Sequence, residues 1–319
     1  MCSAYLKISC RAKSAWRHNF GGLLLAVFIT AGGAGLQAQT TSDSVSQKSG
    51  SITQSAPDDA ESSPVLRVAA DPNNLPFSND RGQGFENRIA QVVAKELGAR
   101  LEYVWFAQRR GFFRNTLKAN RADLVLGVPA GFEMARPTRP LYSSAYVFVT
   151  RKDRHLDITS FDDPQLRKLK IGVQLVGDDG SNTPPAHALA RRGIIDNVRG
   201  YTLYGDYSQP NPPARIMEAV AAGDIDVGVV WGPLAGYFAT HEEVPLTIKP
   251  VSPLMDGGVL PMAYTICAGV RKGDKAMFEK IDSALEKHSA EIQQILADFQ
   301  LPQVDVKEVP QLPVEDDDD

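Results

Sequence analysis

The sequence contains little cysteine, since only three of its 319 residues are of this type. Two of them, Cys2 and Cys10, lie in an N-terminal stretch with the features of a cleaved export signal, so the mature chain would keep Cys267 alone. A lone cysteine forms no internal disulfide and no cysteine-based zinc site. Cys267 lies in an apolar run, where we expect it to be buried as a small hydrophobic residue.

The sequence also lacks the short motifs that mark common enzyme active sites. It contains no G-x-S-x-G, no phosphate-binding loop and no dinucleotide fingerprint. Four histidines follow the signal region, and none has the spacing of a metal-ligating pair: His155, His187, His241 and His288. We therefore predict that the protein is not an enzyme and holds no metal or cofactor.

No apolar run is long enough to span a bilayer well. The run at 23–31 follows a basic segment and precedes a small-residue cleavage site at 36–38, which are the three parts of a secretory signal. We predict a signal peptide over 1–38 and a periplasmic mature protein, with an uncleaved membrane anchor as the alternative.

The mature chain has fewer basic than acidic residues. Without the four basic residues of 1–38, 34 minus 4 leaves 30 basic against 38 acidic residues, a formal charge of −8. Such a chain has no general attraction to nucleic acid or to an anionic membrane, so we predict neither nucleic-acid binding nor stable membrane insertion.

The two ends of the mature chain have few large apolar residues. We predict a flexible leader over 39–64, which is rich in Ser, Thr, Gln and Asp, and a disordered acidic tail over 303–319. The tail is either a solvated terminus or a contact for a basic partner. The region between them is long enough for two modest domains.

A strand, a polar loop and a helix follow one another over 66–97. The loop at 71–79 stops the strand with Asp, Asn and Pro, and Phe85, Ile89 and Val93 then recur on one helical face. Loops that leave the carboxyl ends of parallel strands line the ligand crevice of open α/β sheets. We therefore place candidate binding residues in this loop, although it is also explained as a well-made turn: Asp71, Asn73, Asn74 and Phe77.

Strands and helices alternate along the rest of the chain, and the pattern starts again after residue 154. We predict an α/β fold of the bilobal, type II periplasmic-binding kind, with two open, mostly parallel sheets joined by two hinge crossings. One lobe is expected over 65–149 with 260–302, and the other over 152–250.

Six motifs carry a resemblance to a known family: ADPNNLPFSN (70–79), GFENRIA (84–90), WFAQRRGFFRNTL (105–117), ADLVLGVPAG (122–131), KIGVQLVGDDGSNTPPAHAL (170–189) and GDIDVGVVWGPLAGYFA (223–239). The chain resembles the quinoprotein-dehydrogenase-associated substrate-binding proteins, the J-type accessory proteins of the MxaJ/XoxJ type. The resemblance covers nearly all of 65–300. It implies a periplasmic, non-enzymatic protein that supports the function or maturation of a pyrroloquinoline-quinone methanol dehydrogenase.

The chain departs from its relatives in two respects. Relatives often carry cysteines near the positions of Ala69 or Ala70 and of Ala122, so the first lobe is held here by packing alone. Amino-acid receptors of this fold usually have an Asp after the last strand of the second lobe, where this chain has Trp231. Prolines also interrupt the region of the carboxylate-binding arginine, near Arg136 and Arg139, so the ordinary amino-acid site is predicted to be absent.

Polar and charged residues are predicted on both sides of the cleft, where opposed charges orient a protein segment or close the cleft as ion pairs. Asn182 and Thr183 also suit helix capping, and the two adjacent aspartates suit a hard cation. Trp231, with Phe77 and Tyr207, can stack on a ligand. The remaining candidates are Gln108, Arg109, Arg110 and Arg114 on one side, and Asp178, Asp179, Asn182, Thr183 and Asp206 on the other.

Two hypotheses of function follow. The first is an accessory protein that recognises a segment of a periplasmic quinoprotein methanol or alcohol dehydrogenase through the cleft. The second is a transporter receptor that closes on a small polar ligand other than an ordinary amino acid.

Overall fold

The computed structural model describes residues 63–175, 182–202 and 207–310. The predicted signal peptide, nearly all of the predicted leader and the end of the predicted acidic tail lie outside these ranges. The candidate residues Asp178, Asp179 and Asp206 also lie outside them. Within the described residues, no helix combines the length and the apolar composition that a membrane crossing needs.

The first strand, loop and helix form as the sequence pattern predicts. β1 (Val65–Ala70) is followed by a short hairpin and by α1 (Phe85–Glu96), which buries Phe85, Ile89 and Val93. The side-chain oxygen Oδ1 of Asn87 accepts hydrogen bonds at 3.0 Å from the backbone N–H groups of Asn79 and Gly84. This side chain therefore ties the start of the helix to the loop before it.

The strands are β1, β2 (Asn73–Asn74), β3 (Ser78–Asn79), β4 (Arg100–Trp105), β5 (Leu124–Pro129), β6 (Arg136–Arg151), β7 (Ile171–Leu175), β8 (Val198–Thr202), β9 (Val227–Trp231), β10 (Leu246–Pro250), β11 (Met255–Asp256), β12 (Leu260–Pro261) and β13 (Ala263–Val270). The main sheet has nine strands: eight follow one another in the order β4-β1-β5-β13-β6-β9-β7-β8, and β10 pairs with β6 beside this path. β1 pairs in parallel with β4 and β5, and β7 pairs in parallel with β8 and β9.

The long strand β6 joins two groups of strands. Its residues up to Ala145 pair with β13, and those from Tyr146 onward pair with β9 and β10. We call β4, β1, β5, β13 and the start of β6 the first sheet, and the end of β6 with β7–β10 the second sheet. The predicted fold class, α/β with a bilobal binding-protein arrangement, is confirmed. The predicted residue bounds of the lobes stay a prediction.

Strand β6 extends farther toward the N-terminus than its apolar run, and it contains Pro137 and Pro140. Proline cannot donate to a ladder, so it is tolerated at bulges. Opposite these prolines the register of β13 shifts, once between Ile266 and Cys267 and again between Cys267 and Gly269. The bulges therefore allow the strand to continue through both prolines.

Two helices near the C-terminus, Lys275–Lys287 and Ser289–Asp298, are separated only by His288. The imidazole of His288 lies within 3.0 Å of Glu291 and within 2.8 Å of Glu96 of α1, so the break places this side chain between two carboxylates. The helices are α1, α2 (Phe112–Asn115), α3 (Pro184–Arg191), α4 (Arg215–Ala222), α5 (Gly232–Ala239), α6 (Lys275–Lys287) and α7 (Ser289–Asp298).

The chain passes between the two sheets three times beside residues 143–146. Strand β6 itself is the first passage, and the segment after β10 is the second. In this second passage the Val251 N–H donates to the Tyr146 carbonyl at 3.0 Å, and the Tyr146 N–H donates to the Met262 carbonyl at 2.7 Å. The third is the segment after α7: the Ser144 hydroxyl donates to the Pro302 carbonyl at 2.6 Å, and the Val304 N–H donates to the Ser143 carbonyl. Residues 303–310, where the predicted tail begins, thus belong to the described structure.

Candidate cleft site

Asp71 organises the loop between β1 and α1. Its side chain is 1% exposed, and its two oxygens accept backbone N–H groups, from Asn73 at 2.9 Å and from Gln108 at 2.8 Å. Burial raises the pKa of Asp71, while the two N–H groups and the charge of Arg109 act in the opposite direction. Asp71 therefore joins the loop after β1 to the loop after β4.

Asn73 and Asn74 extend from this loop in two directions. The Asn74 amide donates to the Gln108 side chain at 3.0 Å within the first sheet's own loops. Asn73 reaches the segment before α4, where its amide donates to the Gln209 carbonyl at 2.8 Å and its oxygen accepts from the Asn211 N–H at 3.3 Å. The Asn73 side chain therefore holds the loop of the first sheet directly against the second half of the chain.

Leu75, in the same loop, adds an apolar contact across the cleft. It is 5% exposed and belongs to a hydrophobic cluster whose other buried members lie between Val147 and Phe238. A buried leucine side chain contributes on the order of 2 kcal/mol. The protein thus fills its own cleft with a side chain.

Glu86 is a second buried carboxylic acid beside the cleft. It lies in the first turn of α1 and is 7% exposed, and among the described residues its carboxylate has no hydrogen-bond or ion-pair partner. Its Oε1 lies 2.6 Å from the place that a Cβ of Gly127 would occupy, so a side chain at this position would displace the carboxylate. Burial raises the pKa of Glu86 to about 7.

A small cavity of about 10 Å³ lies between these groups and the second sheet. A space of that size holds about one water molecule. It is lined by acidic, amide and aromatic side chains of the first sheet and by one residue of the second: Asn74, Phe77, Glu86, Gln108, Gly127, Tyr142, Ile266 and Trp231. This cavity, lined by described residues, is too small for an amino acid.

Trp231 is the wall that the second sheet contributes. Its side chain is 2% exposed and packs edge-on against Tyr146 and Tyr264, with ring centroids 5.3 and 6.0 Å away. Its backbone N–H donates to the Gln174 side chain at 3.0 Å, and the Thr183 hydroxyl donates to the Gln174 carbonyl at 2.8 Å. Thr183 occupies the N-cap position of α3, yet its side chain makes no capping bond.

The predicted basic residues of the first sheet lie outside the cavity. Arg109, Arg110 and Arg114 are exposed, and within the described ranges none has a hydrogen bond or ion pair from its side chain. Burial and the charge of Asp71 raise the pKa of Tyr207 to about 12, and the charge of Arg109 lowers it. Tyr207 therefore lies near Asp71 and Arg109, and it is not one of the residues that line the cavity.

The arginines near the usual carboxylate-binding position are held by α6. Arg139 donates to Asp282 at 2.9 Å and to Glu286 at 3.0 Å. The Arg136 guanidinium lies 3.7 Å from the centre of the Phe278 ring. Neither side chain lines the cavity. That the ordinary amino-acid site is absent stays a prediction.

The structure thus brings together the loop candidates, Gln108 and Trp231. Asn182 forms a bridge with Leu175 and, like Thr183, lies at the end of β7 rather than in the cavity. In the described part of the chain, no group of three His, Cys, Asp or Glu side chains is placed to hold a metal ion. Sequence reasoning missed Leu75 and Glu86.

Comparisons with known proteins agree with this geometry. Residues 66–300 match the model of the bacterial extracellular solute-binding proteins, family 3. The chain is 34% identical over 251 residues to the protein MoxJ of Methylorubrum extorquens, an alignment that covers 75% of this chain and 81% of that one.

Two solved structures have the same fold. The periplasmic binding protein XoxJ from Methylobacterium extorquens is 32% identical with a TM-score of 0.61, covering 75% of this chain and 99% of its own. MxaJ from Methlophaga aminisulfidivorans is 24% identical with a TM-score of 0.63, covering 75% and 100%, and shows the fold alone. The chain belongs to the bacterial extracellular solute-binding proteins of family 3, and within them it is a binding protein of the MxaJ/XoxJ type.

Proposed function

We propose that the protein is a non-enzymatic accessory protein of the periplasm that supports a pyrroloquinoline-quinone-dependent methanol or alcohol dehydrogenase. It acts in the maturation or activation of that enzyme and is exported by the signal peptide 1–38. The cleft between the two sheets receives a segment of the dehydrogenase.

The observation that most supports this proposal is that the protein's own side chains occupy the cleft. Leu75 and Asn73 close it, and the cavity that remains holds about one water molecule. A receptor for small solutes needs a pocket that encloses its ligand. A protein segment, in contrast, binds along the opened faces and replaces the contacts of Leu75 and Asn73 with its own.

Arg109, Arg110 and Arg114 add positive charge to one rim of this cleft. Charges at the rim of an interface orient a partner and raise the association rate more than they raise affinity. We therefore assign these three side chains to the approach of the partner, and the side chains of the cavity to its recognition.

The test is a pull-down with immobilised residues 39–319 against periplasmic extract of the organism that encodes the chain. We expect a quinoprotein dehydrogenase among the retained proteins, identified by mass spectrometry. The purified dehydrogenase should then bind with a slower association rate to the Arg109→Ala/Arg110→Ala variant. A matched control is Lys272→Ala/Lys280→Ala, which removes two exposed cations near α6.

The outcome that would contradict the proposal is equally specific. If no dehydrogenase is retained, and a small polar metabolite instead raises the unfolding temperature, the protein is a transporter receptor. If Lys272→Ala/Lys280→Ala lowers the association rate as much as Arg109→Ala/Arg110→Ala does, the arginines at the rim of the cleft have no special role in the approach of the partner.

A further inference from the structure

Glu86 is a buried acid whose partner is missing from the described part of the chain. Buried ionisable groups in folded proteins are paired or hydrogen-bonded, because an isolated buried charge costs several kcal/mol. The other acid of the cleft, Asp71, follows this rule with its two backbone N–H donors. Glu86 does not follow it among the described residues, although it is buried as well, with 7% of its surface exposed.

The space around Glu86 is built for a carboxylate that faces a cavity. Gly127 has a φ of +76° and carries no side chain, so the carboxylate lies directly against its backbone. The first turn of α1 surrounds Glu86, and the positive end of a helix favours a negative charge there. The side chain also lines the cavity that Trp231 closes from the other side.

The other walls of the cavity select among the cations that could meet this carboxylate. A hard metal ion needs about six oxygen ligands, whereas three of the residues that line the cavity are aromatic: Phe77, Tyr142 and Trp231. Ring faces attract organic cations and pack against methylene groups. The amides of Asn74 and Gln108 can accept hydrogen bonds from an ammonium group once their mutual bond opens.

We propose that Glu86, with the aromatic walls of Phe77, Tyr142 and Trp231, binds the ammonium end of a lysine side chain carried by the segment that enters the cleft. The inference rests on the proposed function, since it names the chemistry of that segment. The cavity already has the size of one ammonium group, and the methylene stem packs against the aromatic side chains that line it once the sheets part.

The raised pKa of Glu86 is consistent with this role. In the empty cleft the carboxyl holds its proton near neutral pH, and an arriving ammonium group favours the ionised form. Among the described residues, the other titratable groups that line the spaces around Glu86 are the phenols of Tyr103 and Tyr142. Lysine binding should therefore release a proton to the solvent near pH 7.

The direct experiment compares two probes that differ only in the ammonium group: N-acetyl-lysine N-methylamide and N-acetyl-norleucine N-methylamide. Binding to residues 39–319 is followed by fluorescence of Trp231 in a Trp105→Phe background. We expect the lysine probe to bind at least about tenfold more tightly, which is the effect of a single charge-assisted contact of about 1.4 kcal/mol. The Glu86→Gln variant, which keeps the shape of the side chain, should lose this preference.

Two results would overturn the inference: equal binding of the two probes to the wild type, or a lysine preference that persists in Glu86→Gln. Failure of the inference can be told from failure of the proposed function in the pull-down. Retention of the dehydrogenase by wild type and Glu86→Gln alike refutes the lysine site and leaves the accessory role intact. Lysine-selective binding without any retained dehydrogenase refutes the accessory role and leaves the site.

Discussion

The loop after β1 and the first turn of α1 each bury one acid, and the two acids differ in their hydrogen bonds. Both oxygens of Asp71 accept backbone N–H groups, so that this acid orders two loops. Glu86 is separated from it by a short hairpin and has no described partner. A satisfied buried acid stabilises the fold, whereas an unsatisfied one costs stability and leaves an acceptor for something from outside.

The largest effect should come from Asp71→Ala. The substitution leaves two buried N–H groups without an acceptor, and we expect the free energy of unfolding to fall by about 4 kcal/mol. Urea unfolding followed by circular dichroism measures this loss. The control is Asp80→Ala, an exposed acid of the same region, which should change stability by less than about 0.5 kcal/mol. Similar losses for the two variants would show that Asp71 does not order the loops.

The second-largest effect is expected for Glu86→Gln, which should gain stability over the wild type by an amount that depends on pH. The pKa of Glu86 is raised from an ordinary 4.5 to about 7, so the folded chain keeps a proton that the unfolded chain releases. Wild-type stability should therefore fall as pH rises between these two values, and Glu86→Gln should escape that loss. We expect the variant to gain about 3 kcal/mol relative to wild type between pH 4.5 and pH 8.

Urea unfolding at several pH values tests this gain, with Glu133→Gln as an exposed control that shows no pH-dependent difference. A stability difference for Glu86→Gln that is the same at pH 5 and pH 8 would mean that Glu86 is as well satisfied as Asp71. The contrast between the two acids would then disappear.

A smaller loss is expected for Leu75→Ala, which tests whether the loop closes the cleft. Truncation should cost about 2 kcal/mol, the low end for a buried leucine, because water can enter as the sheets separate. Small-angle X-ray scattering should show a larger radius of gyration for this variant. The Leu75→Met variant keeps the volume of the side chain and should remain compact. A compact Leu75→Ala variant would place the closing contact elsewhere.

The smallest effect is expected for Asn73→Asp. The carboxylate has nearly the shape of the amide but cannot donate to the Gln209 carbonyl, which should cost about 1 kcal/mol. The bond from the Asn211 N–H should open more often, so hydrogen exchange at that amide should accelerate. Unchanged exchange at Asn211 would show that Asn73 does not hold the two halves together.

Local patterns were enough to predict much of the fold. The apolar periodicity of α1 and the turn residues after β1 predicted this strand, loop and helix, and their spacing placed the loop at the edge of the cleft. The full length of β6 was not predictable, because Pro137 and Pro140 ordinarily end a strand. They are tolerated only through bulges in β13, a strand distant in sequence.

The site was less predictable than the fold. Glu86 looked like an ordinary acid of a first helical turn, where negative charge is common. A signal was nevertheless present, since Glu86 lies on the same helical stripe as Ala90 and Val93, both of which are fully buried. Leu75 was overlooked because its partners lie beyond residue 147, and no local pattern records a contact across the cleft.

The three passages of the chain beside residues 143–146 cannot all form at the same time while the chain is being synthesised. The third passage, at 300–304, lies against Gly236, where a Cβ would come within 2.0 Å of the Gln300 carbonyl oxygen. A chain that emerges with its N-terminus first can pair β6 with β9 and β13 before residue 300 appears, but it cannot make the bonds of Ser143 and Ser144. Until residues 300–304 emerge, the segment 143–146 between the two sheets lacks these hydrogen bonds and is held less firmly than in the complete fold.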